Sequence, residues 1–349
     1  MLKKLISICV ILSMSTLKGA AESSLNLSAE CAVVINAYTG EVLYSKNADK
    51  RHSMASTTKI MTSLLAVESG RLQNEIVVSD DMLRVEGTSM GLRSGDSVSL
   101  DELLYGMMLS SGNDAANVVA YYLGGSPEGF SLMMNERAKK IGMFNTNFVT
   151  PSGLDSDEHY STAYDMALLG AEAVRNPKFL SVCSAESAVL TYGNPPQRRT
   201  VYNHNKLLRY YDYALGIKTG FTKKSGRCLV SYAKKDSAEL IAVTLNAPDD
   251  WNDHKKLLNY GFDLLKTEEV IVPLPESIPI VGADKESVRI GLKEYGYSYM
   301  NSISVSYKLY LNKFIYAPVT EDTIVGYCVY YFNGKPMCSE PVLTVESVT

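Results

Sequence analysis

Arg227-Cys228-Leu229-Val230-Ser231-Tyr232-Ala233 and Glu239-Leu240-Ile241-Ala242-Val243-Thr244-Leu245 are apolar, β-branched runs joined by Lys234-Lys235-Asp236-Ser237. Two such runs around a short polar turn predict a hairpin. A hairpin is antiparallel, because parallel strands need a long crossover. The charges of Lys234, Lys235 and Asp236 read as a solvated turn. Working outward, a capped helix is expected over about 250–265, and residues 31–44 give two more short strands with a turn at Thr39-Gly40. Between these lie expected helices at 56–68, 100–109, 113–123, 127–140 and 163–175, the first stopped by Gly70 and the third capped by Asn113. Early strands, central helices, late strands and a closing helix predict a mixed α/β-type domain built on an antiparallel sheet plus a helical region.

Pro273, Pro275 and Pro279 mark a linker, after which the chain to Thr349 is strand-like and rich in Tyr, alternating at Tyr295, Tyr297 and Tyr299. A small all-β domain is expected there. The tyrosine stripe reads as one face of a strand, with a sugar-binding platform as the alternative. A chain of 349 residues, 46% apolar and 21% charged, has room for about two domains. Lys3-Lys4, an apolar run over 5–14 and the small residues Gly19-Ala20-Ala21 read as a secretory signal. The division is therefore 1–21 signal peptide, 22–268 main domain and 269–349 β-rich domain, with the mature protein starting near Glu22 and working outside the cytoplasm.

A net charge of -4 gives no basic footprint and excludes nucleic acid as a partner. Cys9 leaves with the signal, and Cys31, Cys183, Cys228, Cys328 and Cys338 are too widely spaced for a zinc site. Only Cys328 and Cys338 are candidates for pairing. They flank Asn333-Gly334, yet a strict two-residue loop puts Val329, not Cys328, opposite Cys338. His52, His159, His204 and His254 show no metal spacing and read as packing, hydrogen-bonding or surface residues. No cofactor and no metal are implied.

The chemistry lies in Met54-Ala55-Ser56-Thr57-Thr58-Lys59-Ile60-Met61. Three residues are nearly one helical turn, so Lys59 faces the same way as Ser56 at a helix N-terminus. A serine hydroxyl needs a base to become a nucleophile, and a lysine serves if burial or nearby positive charge keeps it neutral. Alone the spacing is weak: it recurs at Ser15…Lys18 and Ser231…Lys234, and by itself fits an ordinary N-cap and a solvated lysine. Two further elements follow, Ser110-Ser111-Gly112-Asn113-Asp114 and Gly216-Ile217-Lys218-Thr219-Gly220-Phe221-Thr222. Ser-x-Asn also recurs, at Ser24…Asn26 and Ser45…Asn47, but Lys-Thr-Gly occurs once. At ordinary residue frequencies that tripeptide is expected about 0.1 times in such a chain.

The three elements in this order resemble the low-molecular-weight penicillin-binding proteins, the D-alanyl-D-alanine carboxypeptidases among the penicillin-recognising serine hydrolases. The resemblance runs over about 32–265 and includes Met90-Gly91-Leu92-Arg93-Ser94-Gly95-Asp96, Pro151-Ser152-Gly153-Leu154-Asp155 and the stretch from His159 to Met166. The tail after Pro273 resembles, less specifically, the β-rich domain that follows catalysis in that family. The resemblance implies a β-lactamase/transpeptidase-like fold and removal of the terminal D-alanine from peptidoglycan stem peptides, hence a part in cell-wall biogenesis and cell shape. β-Lactam antibiotics would be covalent inhibitors. It further implies that Ser56 attacks, Lys59 accepts the proton, Ser111 relays a proton to the leaving amine and Asn113 orients substrate and Lys59. Lys218 would anchor the substrate carboxylate with Thr219, and the backbone N–H groups of Ser56 and Phe221, the latter after Gly220, would form the oxyanion hole. Some relatives carry His where Phe221 stands.

A β-lactamase on the same scaffold is a rival reading, with Glu172…Asn176 imitating the spacing around its deacylating glutamate. A D,D-endopeptidase acting on cross-linked stems and a non-catalytic wall-binding scaffold are the others. Many relatives end in an amphipathic anchor, whereas 344–349 is strand-like with no apolar helical face, so membrane association stays open.

Overall fold

The computed structural model describes residues 25–269, 272–292, 296–300, 304–332 and 334–349. The expected signal peptide at 1–21, and with it Cys9 and the start near Glu22, lies outside the described residues, as do Tyr295 and Asn333 and the side chains of Tyr297 and Tyr299.

In chain order the strands are β1 Cys31–Asn36, β2 Val42–Lys46, β3 Glu75–Val77, β4 Ser97–Ser99, β5 Ser187–Tyr192, β6 Gln197–Tyr202, β7 Ala214–Thr222, β8 Gly226–Lys235 and β9 Ala238–Leu245. Beyond them come β10 Leu265–Glu269, β11 Ser277–Val281, β12 Ser287–Leu292, β13 Gly296–Met300, β14 Val305–Leu311, β15 Ile315–Tyr316, β16 Ile324–Phe332 and β17 Lys335–Thr344. The helices are α1 Lys59–Glu68, α2 Leu100–Met108, α3 Asn113–Gly124, α4 Pro127–Ile141, α5 Ala163–Val174, α6 Pro177–Ser184, α7 Leu207–Tyr210 and α8 Asp250–Leu264.

The expected hairpin is β8–β9, part of an antiparallel sheet in the order β2-β1-β9-β8-β7. Its turn is tighter than expected: Lys234 and Lys235 pair with Glu239 and Ala238, leaving Asp236 (φ 52°) and Ser237 at the tip. The continuous apolar runs have a simple cause. Cys31, Val33, Ile35, Ile241, Val243, Val230 and Tyr232 face a core shared with the helices α1 to α6, while Ala32, Val34, Leu240, Ala242 and Leu229 face Leu257 and Leu258 of α8. With both faces covered, no position needs to be polar.

Local chemistry sets the helix ends. Ser99 and Glu102 form a reciprocal capping box on α2, Ser126 caps α4 and Thr162 caps α5. Helix α6, absent from the sequence reading, starts where Asn176 accepts from the amides of Lys178 and Phe179 ahead of Pro177. The β5–β6 hairpin, also absent from the sequence reading, buries Leu190, Tyr192 and Val201 on one side and leaves Ser187, Val189, Thr191, Arg198, Thr200 and Tyr202 exposed on the other.

At the C-terminal end β14-β16-β17-β12-β11-β15 form a sheet and β10 pairs with β13. Pro279 belongs to β11, opposite Ser287, and not to a linker; β11 pairs with short β15 only beyond it, at Ile280 and Val281. In the β16–β17 hairpin a register shift between Tyr330 and Tyr331 puts Tyr330, not Val329, opposite Cys338. The extra residue on β17 is Met337, and Cys328 lies opposite Glu340, so Cys328 and Cys338 do not face one another and no disulfide joins them. Among the described residues no helix is long and apolar enough to cross a membrane.

Candidate active site

Ser56 lies on a 3-10 turn, Ala55–Thr58, that leads into α1 and is tied down when Thr57 donates from its amide (3.2 Å) and its hydroxyl (2.6 Å) to the Met54 carbonyl. Ala55 has φ 48°, a left-handed conformation that a residue with a Cβ adopts only when its surroundings impose it. Those surroundings are two glycines. A Cβ on Gly153 would lie 1.9 Å from the Ala55 carbonyl oxygen, and one on Gly220 would lie 3.0 Å from the Ser56 amide nitrogen. Thus the Pro151–Gly153 loop presses on the turn from one side, and strand β7 from the other.

Lys59 is fully buried, and its Nζ lies 3.0 Å from Ser56 Oγ, 2.7 Å from Asn113 Oδ1 and 2.8 Å from the Ser152 carbonyl oxygen. Burial, then the charge of Lys218, hold its pKa well below the ordinary lysine value, against an opposing pull from Asp114. The solvated lysine of the bland sequence reading is therefore not what the fold produces. Lys218 is also buried, donates to the Thr219 carbonyl at 3.1 Å, and is pushed down by desolvation to about 7.

Asn113 was expected to cap α3. It occupies the first helical position instead, with Gly112 as N-cap, and its amide is committed elsewhere: Oδ1 accepts from Lys59 and Nδ2 donates to the Glu86 carbonyl at 2.7 Å. Ser111 stands just before it with φ 62°, in a tight loop that is nearly buried. Asp114 fixes the loop's surroundings by accepting from the amides of Met90, Gly91 and Leu92 and from the Ser89 hydroxyl.

The Pro151–Gly153 loop is held in turn by α1. Thr62 donates to the Pro151 carbonyl at 2.6 Å, and Thr58 Oγ1 meets His159 Nε2 at 2.8 Å. His159 Nδ1 accepts from the amides of Val149 (2.9 Å) and Thr150 (3.3 Å), so its proton is on Nε2. Burial lowers its pKa to about 4 and keeps it neutral. Asp155 links the rim, accepting from the hydroxyls of Ser53 and Thr222 at 3.1 and 3.0 Å. The Phe221 side chain projects outward and is 66% exposed.

The fold thus gathers Ser56, Lys59, Asn113, Lys218 and Gly220 from three distant stretches of chain into one cleft, with Ser111 beside Asn113 and with Thr219 and Phe221 beside Lys218 and Gly220 on β7. Sequence reading did not give parts to the Ser152 carbonyl, Asp114 or His159. Asp114 had a visible signal, an acid in the first turn of a helix; a backbone carbonyl has none. Glu172, whose spacing to Asn176 imitates a deacylating glutamate, is committed to Arg137 (2.6 Å) and Arg175 (3.4 Å), and Asn176 to capping α6.

Residues 18–249 match the peptidase S11 family, described as D-alanyl-D-alanine carboxypeptidase. Among curated proteins, the D-alanyl-D-alanine carboxypeptidase DacF of Bacillus subtilis is 32% identical over 95% of this chain and 88% of its own length. DacC of Escherichia coli, described likewise, is 32% identical over 93% of this chain and 85% of its own. Among solved structures, penicillin binding protein 5 from Haemophilus influenzae superposes with a TM-score of 0.68 at 27% identity, covering 95% of this chain and 99% of that one. The Streptomyces K15 DD-transpeptidase gives 0.66 at 30% identity, covering 69% of this chain and 99% of that one.

Proposed function

The chain belongs to the D-alanyl-D-alanine carboxypeptidase family of serine peptidases, and from that premise we propose that Ser56 is its nucleophile, Lys59 its general base and peptidoglycan stem peptides its substrate. The observation that carries this reading is the contact between Lys59 Nζ and Ser56 Oγ at 3.0 Å, made by a lysine that burial and Lys218 keep toward the neutral form. Neutral Lys59 takes the hydroxyl proton as Ser56 Oγ attacks the carbonyl of the penultimate D-alanine. The oxyanion that forms is met by the Ser56 and Phe221 amides, which the close approach of Gly220 to the Ser56 amide supports. Ser111 passes a proton to the leaving nitrogen, the C–N bond breaks and D-alanine departs. Water then hydrolyses the acyl-enzyme. Asn113 holds Lys59 in line, and Lys218 with Thr219 anchors the terminal carboxylate, whose charge restores the Lys218 ammonium.

Penicillin, entering as an acyl donor, is held covalently on the same serine. We assign catalysis to 22–268 and a supporting role to 269–349, with the β10–β13 pair bridging that boundary. Export by the segment 1–21 and a part in wall biogenesis and cell shape belong to the same reading, because the substrate lies outside the cytoplasm. To test it, the purified protein and a Ser56→Ala variant are given a stem pentapeptide ending in D-Ala-D-Ala. Free D-alanine from the wild type alone is the expected result; release by neither protein overturns the assignment.

A further inference from the structure

A neutral lysine amine has two N–H hydrogens and one lone pair, and it acts as a base only when the lone pair meets the proton to be taken. Three oxygens surround Lys59 Nζ: Asn113 Oδ1 at 2.7 Å, the Ser152 carbonyl at 2.8 Å and Ser56 Oγ at 3.0 Å. The first two can only accept, so they take both N–H hydrogens. That leaves the lone pair facing Ser56 Oγ, the one neighbour with a proton to give. If either acceptor drifts, the amine is free to turn an N–H toward Ser56 and ceases to be a base for it. Asn113 is fixed by its own bond to the Glu86 carbonyl. The Ser152 carbonyl belongs to a loop, so its position depends on what holds that loop.

The loop closes at an isolated antiparallel bridge between Asn147 and Tyr160. Within it the amides of Val149 and Thr150 share one acceptor, His159 Nδ1, at 2.9 and 3.3 Å. The other ring nitrogen, Nε2, meets Thr58 Oγ1 at 2.8 Å, on the residue next to Lys59. One imidazole thus ties the loop that carries the Ser152 carbonyl to the turn that carries Lys59. The ring is buried, and Phe148 packs against it edge to face with centroids 6.0 Å apart. Gly153 donates to Thr150 Oγ1 at 3.1 Å and Thr62 to the Pro151 carbonyl at 2.6 Å, so a shift at 149–150 is passed on to Ser152.

Packing alone does not require an imidazole here. An apolar ring of similar size would fill the space, but it would leave two buried amides without an acceptor and Thr58 without its donor.

We propose that His159 is a positioning residue for the general base: by buckling the 149–153 loop to Thr58 it fixes the Ser152 carbonyl, and that carbonyl, with Asn113 Oδ1, aims the Lys59 lone pair at Ser56 Oγ. This rests on the assignment of Ser56 and Lys59 given above. His159 exchanges no proton with the reactants; the Ser56 hydroxyl proton still goes to Lys59.

The test follows acylation of the full chain by a fluorescent penicillin at rising concentrations, which separates the limiting rate constant from the dissociation constant, with the active fraction of each protein fixed by titration. His159→Phe keeps a ring and removes both nitrogens, whereas His159→Gln keeps one acceptor and one donor. His159→Phe is expected to lower the limiting rate constant per titrated site by about tenfold or more, the scale on which misplacing a reacting group is felt, with the dissociation constant within twofold. His159→Gln should recover most of that loss. A role in folding alone would lower the melting temperature and the active fraction while leaving the rate constant per site unchanged. That result overturns the proposal, as does a loss carried by the dissociation constant or an equal loss in both variants. If His159→Phe yields no folded protein, Thr58→Val decides, because it removes one end of the buckle at nearly constant volume. A threefold or greater fall in its limiting rate constant supports the proposal, and a smaller one refutes it. A wild type that forms no adduct instead overturns the Ser56 and Lys59 assignment, an outcome distinct from failure of the buckle, which leaves the wild type acylating.

Discussion

The sheet that carries Lys218 and the sheet formed by the C-terminal strands are built on opposite terms. In the first, β1, β8 and β9 are covered on both faces, and β7 is pressed against the Ser56 turn at van der Waals limits. In the second, β14 alternates between half-buried and exposed positions, and Tyr310, Tyr327 and Ile324 stand out in solvent. A two-sided sheet surrounded by helices cannot yield when a neighbour grows, because interiors are close-packed. A sheet with an open face can. The contrast explains why chemistry is built on the first, where backbone atoms must be held to a fraction of an ångström.

The hardest test of that contrast is to add one methyl group on each side of it. Gly153→Ala puts a Cβ 1.9 Å from the Ala55 carbonyl oxygen at a position of φ 86°, so the turn bearing Ser56 must move. The rate of penicillin acylation is expected to fall more than ~100-fold, since small misplacements of a reacting group cost that much. Gly334→Ala, in the β16–β17 hairpin at φ 75° with nothing within 4 Å, meets only the backbone cost of about 1 kcal/mol. Acylation should be unaffected there. Equal losses at the two sites, read with a fluorescent penicillin, would break the comparison.

The second test uses the lysines that the covered sheet and its helices bury. In the proposed mechanism, turnover needs Lys59 neutral and Lys218 charged. Lys59 is shifted well below the usual lysine value, so kcat/KM rises with pH through a limb on the acid side. Lys218 is lowered to about 7, so on the alkaline side kcat/KM falls about tenfold per pH unit above that point, as the free enzyme loses the ammonium that anchors the substrate carboxylate. An alkaline limb starting only near the ordinary lysine value would mean that water reaches Lys218. The half-open C-terminal sheet, by contrast, contributes no lysine to this profile.

The contrast also governs what could be read in the sequence. Continuous apolar runs such as 31–35 and 239–245 announced the covered sheet, and the three short motifs announced the site, because local periodicity and residue type are written in the chain. Local preference puts Asn113 at the cap of α3, but Gly112 stands there and the Asn113 side chain bonds Lys59, 54 residues away, a partner that the resemblance implies and local preference does not. The hold of Ser152 on Lys59 is made by a carbonyl that any residue has, so no side chain signals it. In the C-terminal sheet Pro279 suggested a linker because proline usually interrupts a strand, and the extra residue at Met337 moved the cysteine register by one. One-residue slips of that kind depend on which partner strand is present, and residue order alone does not specify it.

Tyr38 is where the two regions touch, and the smallest predicted effect falls there. It follows β1, packs against Cys328, Tyr330 and Phe332, and donates its hydroxyl to Glu340 of β17 at 2.6 Å. Tyr38→Phe keeps the ring and removes the hydrogen bond. A bond to a carboxylate in a half-exposed place contributes about 1 kcal/mol, because water competes for both partners. The expected result is a drop of a few degrees in the melting temperature, with penicillin acylation within twofold of wild type. If the C-terminal sheet only buttresses the covered one, nothing more should change, since no atom of the Ser56 turn is bonded to Tyr38. A tenfold loss of acylation with the fold intact would mean that the open sheet sets the position of β1, and through β9 and β8 that of β7 and the Lys218 strand; the two regions would then be one catalytic unit.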